Sequence, residues 1–545
     1  MNSKKLPLLA LILVVAASLA GGLLHRQKRT TASERDAQAD ITDFFEQSLH
    51  AVEENYSGDL DLERVSKASI QGMLHQLDPH SSFFTKNEFD DLQTEQSSRF
   101  YGIGVTIKKL NGRVFIASTI PGGPAYRAGL RYGDAVTSID SLSAEDWSGE
   151  QVMQRVRGVK GDPVEIKVER PGVSHTITVR VIRDEVKLPT VRNAFMIPPT
   201  GVGYISLTGF LAKTDDELND AIARLKPAGL HQLILDLRGN PGGLLDQAIK
   251  VAGRFLSSGM RVLEVRGRDE PSSDRVYDVP PNNEPEQMPM VILIDKRTAS
   301  ASEVVAGALQ DHDRALIIGE TSFGKGLVQG VYKLWGGTGL TLTTARYYTP
   351  SGRSIQRDYS TISFYDYYQN RDEALHKVAS AGNAFHTDLG QDVYGGGGIA
   401  PKIELKQPEA SRVQGQLYSA IFDFVRQLVN GQINGLREYR VTETQRKTNL
   451  SADDIDRFPI GERLLTAFRQ YIADKPRFNL SEEKLAANQD YLRGWLRREI
   501  LTAAYGAEAG EETYLLEDPL VKKAVEKLPE ARQLAENARH SRGEQ

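Results

Sequence analysis

Two hydrophobic rhythms divide the chain. Short, unbroken apolar runs at Leu233–Leu235, Val291–Ile294 and Ala315–Ile318 each end in polar or glycine residues, which predicts strands buried on both faces. Gly203–Phe210 predicts a further strand and Asp215–Arg224 a helix, so short strands alternate with helices between 187 and about 402. After Gln329, strands are expected around Val331–Leu334 and Leu340–Tyr347. Elsewhere the period is helical. Ile41, Phe44, Phe45, Leu49 and Val52 form one stripe, and a second helix starts at Asp59–Glu63 and ends near Leu77–His80. Leu417, Ile421, Phe424, Val425 and Leu428 form a stripe near the C-terminus, and Leu492, Trp495 and Leu496 form another, with breaks at Asp456–Pro459 and Lys475–Phe478. The pattern predicts a multidomain α/β (α+β) chain with helices at both ends.

The first residues follow neither rhythm. Lys4 and Lys5 precede a mostly apolar stretch from Leu6 to Leu24, which reads as an export signal or an N-terminal membrane anchor. Ser18 and Ala20 offer small residues for cleavage. Against cleavage, the stretch is about long enough to span a bilayer, and His25–Arg29 adds positive charge on its far side. Export is expected, to the periplasm or cell envelope; anchored and released forms stay open.

Composition narrows the chemistry. The 545 residues carry a formal net charge of −5, so the basic footprint of a nucleic-acid binder is missing. With no cysteine, disulfides, zinc–thiolate sites and thiol nucleophiles are excluded. No metal or cofactor is implied. The length suggests roughly three or four domains.

Ser300 and Lys325 carry the most telling chemistry. Ser300–Glu303 matches a capping box that opens a helix over Val304–Gln310. The strand Ala315–Ile318 then runs into a glycine-bracketed loop bearing Lys325, and strand–helix–strand geometry returns that loop to the sheet end that holds Ser300. A lysine serves as a base only when neutral, and burial among apolar strands favours the neutral amine. Gln329, four residues on, could orient that amine without adding charge. Two rival motifs use the same residues. Gly319–Lys325 nearly completes a phosphate-binding loop, but Gly326 occupies the position that needs Ser or Thr. Ser322–Lys325 spells Ser-x-x-Lys, which needs a helix that Gly324 and Gly326 oppose. Ser300 as a bare N-cap and Lys325 as a loop charge is the plain reading.

Thr298–Glu303, Gly319–Gly326 and Gln329 resemble the active-site motifs of the carboxyl-terminal processing (tail-specific) proteases, and the likeness runs from about residue 36 to about 402. It implies a ClpP/crotonase-like α/β serine protease core with Ser300 as nucleophile, Lys325 as base and Gln329 as the residue that orients it. The Leu233–Leu245 strand and glycine turn would then supply one oxyanion donor, Gly242 or Gly243, with Ala301 as the other. Residues 97–186 resemble a PDZ domain. Tyr101, Gly102, Ile103, Gly104 and Val105 match its carboxylate-binding loop, and Gly123–Asp134 its helix-and-turn segment. Arg157 stands where the family carries an arginine thought to face the catalytic domain. Thr349–Arg353, Gln356 and Tyr394–Pro401 also resemble the family, although Lys402 replaces its usual aspartate.

The division expected is a signal or anchor at 1–30, a helical segment at 31–96, the PDZ domain at 97–186, the catalytic domain at 187–409 and a helical extension at 410–545. His80 reads as a helix-ending turn, Asp311 as support for the site, and the 357–393 insertion has no derivable role. The function expected is a serine endopeptidase that selects proteins by a free C-terminal carboxylate and cleaves through an acyl-enzyme. A catalytically silent tail-binding scaffold is the alternative. An activator or adaptor protein and a homo-oligomer stay open.

Overall fold

The computed structural model describes residues 32–544 apart from 97–98, 188, 199, 269–273, 361–366, 369–383 and 446–449. The stretch read as an export signal or anchor, at 1–30, and part of the 357–393 insertion lie outside the described residues. The chain divides into two compact units, one up to Leu74 and one from His75 onwards. The first holds helix α1 (Ala32–Asn55) and most of α2 (Leu62–His75). The predicted stripe of α1 faces solvent, with Ile41 70% and Phe44 74% exposed. Among the described residues, no helix is long and apolar enough to cross a membrane.

The second unit opens on strand β1 (Ser82–Phe84) and helix α3 (Lys86–Gln96), then enters a PDZ-like β-domain. There β2 (Arg99–Gly102) pairs antiparallel with β9 (Asp184–Lys187), so entry and exit run side by side. The domain's main sheet contains β3 (Val105–Leu110), β4 (Arg113–Thr119), β5 (Ala135–Ile139), β7 (Pro163–Glu169) and β8 (Ile177–Ile182), in the order β3-β4-β5-β7-β8. The two-residue β6 (Leu142–Ser143) pairs with β5. Among the described residues, one edge of β3 is therefore unpaired. Helix α4 (Gly149–Val156) starts at a complete Ser148–Gln151 capping box.

The catalytic region is built on a six-stranded sheet of β10 (Val191–Ile197), β11 (Val202–Leu207), β12 (Gln232–Asp236), β15 (Met290–Ile294), β16 (Leu316–Gly319) and β19 (Ile403–Glu404), in that order. All neighbours from β11 onward are parallel. This explains the unbroken apolar runs, because both faces are covered. Leu235, Ile292 and Ile317 pack towards helices α5 (Thr214–Leu225), α6 (Leu245–Gly253) and α7 (Ala301–Asp311). Ile234, Val291, Leu293 and Ile318 face the other way. A second sheet joins β13 (Arg261–Gly267), β14 (Arg275–Asp278), β17 (Leu327–Lys333) and β18 (Gly339–Tyr348), with β1 on the far edge of β18. Gln329 thus lies inside a strand that starts earlier than the apolar pattern predicts.

The C-terminal helices are structural partners of both domains. Helices α8 (Arg412–Leu428), α9 (Glu462–Ala473) and α10 (Gln489–Tyr505) share one apolar cluster with Phe115 and Ala135 of the PDZ-like sheet and Tyr132 of the turn before β5. Lys108 of β3 places its amine 3.3 Å from the centre of the Tyr418 ring, and Arg426 donates to the Gly133 carbonyl at 3.1 Å. Helix α11 (Ala507–Leu515) follows, and α12 (Pro519–Ser541) covers the second face of the six-stranded sheet with Leu520, Val521, Ala524 and Leu528.

Candidate active site

Three neighbouring parallel strands deliver the site at their C-terminal ends, where open α/β sheets place their functional loops. Strand β12 runs into the Arg238–Gly243 turn, β15 into Asp295–Ser300 and β16 into Glu320–Gly326. Asp295 joins the first two loops, accepting from the N–H groups of Gly239 (2.8 Å) and Thr298 (3.0 Å). Asn240 tightens the junction. Its carbonyl accepts from Ala299 N–H at 3.0 Å and from the Ser302 hydroxyl at 3.1 Å, and its side chain donates to the Leu207 carbonyl at 2.9 Å.

Ser300 sits at the corner between loop and helix α7 with φ 57° and ψ −118°, a backbone conformation that non-glycine residues rarely adopt. The Glu303 side chain reaches back to its N–H at 2.8 Å, the reciprocal contact that the capping pattern predicts. Gly242 backs onto this corner. A methyl group there would lie 2.8 Å from both Ser300 Cβ and Ala301 N. The two candidate glycines differ in their donors. Gly242 N–H is spent on Asn240 Oδ1 at 2.9 Å, whereas the N–H groups of Gly243 and Ala301 have no hydrogen-bond partner among the described residues.

Glu303 ties the serine to the lysine. It is fully buried, and its Oε2 accepts from both Ser300 N–H and Lys325 N–H at 2.8 Å. Its Oε1 accepts from the Ser322 hydroxyl at 2.5 Å and from Gly324 N–H at 2.7 Å. The capping pattern marked this glutamate only as a helix-start residue. Tyr347 adds a hold on the lysine loop, because its hydroxyl donates to the Lys325 carbonyl. Burial pulls the Lys325 amine below its ordinary pKa, opposed in part by the charges of Glu303 and Asp78. Among the described residues no hydrogen bond joins the Ser300 hydroxyl to the Lys325 amine, and the Gln329 amide donates to Thr343 Oγ1 at 3.1 Å.

The surroundings include His80, read from the sequence as a helix-ending turn, Asp311, read as support for the site, and part of the insertion. His80 lies against Phe323, Tyr367 and Tyr368, with a ring nitrogen 2.9 Å from the Tyr367 hydroxyl. Burial first, and then the Lys325 charge, push its pKa down to about 3. Tyr367 and Tyr368 thus give part of the insertion a place beside the Lys325 loop. Asp311 pairs with Arg353 at 2.7 Å with both side chains 1% exposed, and its other oxygen accepts from Ser351 N–H at 3.0 Å. It braces the Thr349–Arg353 loop.

In the PDZ-like domain, Tyr101 and Gly102 end β2, Ile103 is buried, Gly104 has φ +73°, and Val105 opens β3. The Ile103 and Gly104 carbonyls accept from Ala125 and Ile120 N–H at 2.8 and 3.0 Å. Their own N–H groups have no partner among the described residues, which leaves two donors beside the free edge of β3. Arg157 pairs with Asp91 of α3 at 3.9 Å. Among the described residues no cluster of His, Asp or Glu could hold a metal ion.

Residues 201–361 match the model of peptidase family S41, and residues 91–169 match that of the PDZ domain. Fold and comparison together define a serine-type peptidase carrying a PDZ domain. A carboxy-terminal-processing protease of Bartonella bacilliformis is 36% identical over 338 residues, which cover 61% of this chain and 76% of the relative. A protein of Staphylococcus saprophyticus named as a probable CtpA-like serine protease is 31% identical over 344 residues, covering 63% and 68%. Among solved structures, a photosystem II D1 C-terminal processing protease is 27% identical with a TM-score of 0.35, covering 66% of this chain and 86% of that one. The chain belongs to peptidase family S41, among the carboxy-terminal-processing proteases. That membership speaks for the peptidase and against the silent scaffold.

Proposed function

We propose that this chain is an endopeptidase that takes hold of proteins by their C-terminal tails and cuts them with a Ser300–Lys325 pair. The observation that carries the reading is the Glu303 carboxylate, one oxygen of which binds the backbone of both residues. In the proposed cycle Ser300 Oγ attacks the scissile carbonyl while neutral Lys325 takes its proton. Lys325 then returns a proton to the leaving amine, and water releases the acyl-enzyme. Gly243 and Ala301 N–H receive the oxyanion; donors of this kind contribute roughly 2.7–4 kcal/mol each. Gln329 orients the lysine once its amide oxygen reaches the amine. This requires the serine and lysine side chains to close into hydrogen-bond contact when substrate binds.

At the other end, the substrate carboxylate would bind the Ile103 and Gly104 N–H groups while its last residues add a strand to β3. Tyr101, Gly102 and Val105 would flank it. The Leu6–Leu24 stretch supports a cell-envelope location. Arg157 is proposed to sense the position of the PDZ domain, and Arg157→Ala leaving tail affinity and turnover unchanged would remove that role.

The test uses the purified full chain and an unfolded substrate with an apolar tail. Ser300→Ala and Lys325→Ala should each abolish cleavage while tail binding persists, and EDTA should leave the wild-type rate unchanged. Cleavage by Ser300→Ala would end the assignment.

A further inference from the structure

We propose that Gln356 is a positioning residue for Lys325, and that Tyr367 of the insertion, backed by His80, holds the Gln356 amide in place. The proposal rests on the reading of Lys325 as the base. Peptide groups on both sides of the Lys325 Cα are gripped. On one side, Lys325 N–H donates to Glu303 Oε2 at 2.8 Å. On the other, the Tyr347 hydroxyl donates to the Lys325 carbonyl, and Gly326 N–H donates to Gln356 Oε1 at 2.8 Å. The two backbones also meet directly, since a methyl group on Gly326 would lie 2.9 Å from Gln356 N. With both flanking peptides fixed, the direction in which the lysine side chain leaves the backbone is fixed too. Gln356 supplies the one side-chain contact to the Gly326 N–H.

The amide has one possible orientation, because backbone groups flank it. Gly326 N–H only donates and the Arg357 carbonyl only accepts, so the oxygen faces the first and Nε2 the second, at 2.7 Å. The remaining N–H of Nε2 points at the Tyr367 hydroxyl at 3.3 Å, which has to accept it. Burial pushes the Tyr367 pKa up, so the hydroxyl keeps its own proton and gives it to His80 Nε2 at 2.9 Å. Burial also keeps the imidazole neutral, so a lone pair on Nε2 requires the ring hydrogen on Nδ1. The far side of the ring agrees. The Tyr368 hydroxyl donates to the Pro79 carbonyl at 2.8 Å and turns its oxygen towards His80 Nδ1 at 3.4 Å. The turn that carries His80 is itself anchored. Asp78 Oδ1 accepts from His80 and Ser81 N–H, both at 2.8 Å, and Oδ2 accepts from the Ser81 hydroxyl at 2.7 Å. Thr343 N–H of β18 donates to Ser81 Oγ at 3.1 Å. The bonds therefore run without a break from strand β18 through His80, Tyr367 and Gln356 to the peptide beside Lys325.

The experiment measures kcat and KM for the full chain with Gln356→Met, Tyr367→Phe and both together, and reads the His80 tautomer by NMR of isotope-labelled histidine. Gln356→Met should lower kcat roughly 10- to 100-fold and leave KM within about twofold. Tyr367→Phe spares the two backbone bonds of the amide and should cost roughly three- to tenfold in kcat. The double variant should be no worse than Gln356→Met, because both changes break the same chain of bonds. His80 should carry its hydrogen on Nδ1 in the wild type and lose that preference in Tyr367→Phe. Tyr367→Phe leaves every backbone contact in place, so this arm stands even if Gln356→Met fails to fold. Wild-type kcat in Tyr367→Phe, an Nε2–H ring in the wild type or fully multiplicative losses would overturn the part given to Tyr367 and His80. Wild-type kcat in Gln356→Met while Lys325→Ala is inactive would overturn the positioning role alone. Cleavage by Lys325→Ala would overturn it together with the reading of Lys325 as the base.

Discussion

Gly242 lies so close behind Ser300 that a single methyl group on it would come within 2.8 Å of the Ser300 Cβ. The same methyl would stand 2.7 Å from the Ala299 carbonyl oxygen, and the backbone φ of +97° disfavours any side chain there. Gly242→Ala should therefore displace the Ser300–Ala301 corner and cut kcat by about 100-fold or more, with a loss of stability of a few kcal/mol. Gly229→Ala is the comparison, since φ there is +92° but nothing lies within 4 Å of the added methyl. It should cost stability alone. Equal kcat for the two variants would show that closeness to Ser300 is irrelevant.

Glu303 offers four acceptor contacts from a fully buried position, and glutamine cannot reproduce them. Its NH2 would face N–H donors that now bind a carboxylate oxygen, each unsatisfied group costing about 1–3 kcal/mol. Glu303→Gln should lower the melting temperature and reduce kcat at least about tenfold. Thermal melts and steady-state kinetics on one preparation check both. Unchanged kcat in a destabilised variant would reduce Glu303 to a purely structural part.

The depressed Lys325 pKa sets the sign of a pH profile. A base is active only when neutral, so kcat should rise with pH on a limb lying below the ordinary lysine value of 10.5. Lys325→Arg should be inactive throughout, because a guanidinium keeps its proton in proteins. A wild-type profile that is flat from about pH 6 to about pH 10 would contradict a titrating lysine.

His80 should shape stability instead. Its folded pKa of about 3 lies below the ordinary 6.5, so between those values the unfolded chain binds the extra proton. Stability is then unaffected above the upper value and falls as pH drops through the window, by up to about 1.4 kcal/mol per pH unit. His80→Gln should remove one proton's worth of that slope in denaturant titrations. Identical slopes would mean that the imidazole is not held neutral.

Local pattern told most about elements and least about distance. The apolar runs of β12, β15 and β16 were readable because both faces of a parallel sheet are covered, and Ser300 was readable because a helix start has its own chemistry. Register was harder. Gln329 falls inside β17, since pairing with β18 extends the strand past the apolar stretch. The stripe of α8 announced a buried face, but nothing in it says that a PDZ sheet is what buries it. Asp78, Ser81 and Thr343 meet only because β1 pairs with β18, more than 250 residues along the chain. Asn240 and Glu303 were visible in the text, and their several simultaneous hydrogen bonds were not.

The shared packing of Phe115 and Tyr132 with α8 and α10 bears on any attempt to work with the tail-reading domain by itself. Excised at its sequence boundaries, that fragment would bare an aromatic patch and leave the Lys108 ammonium without the rings it rests on. Aggregation of such a piece would then report a missing neighbour and carry no information about affinity for ligands. A graft meant to retarget the enzyme has to bring a matching back surface as well as a new groove.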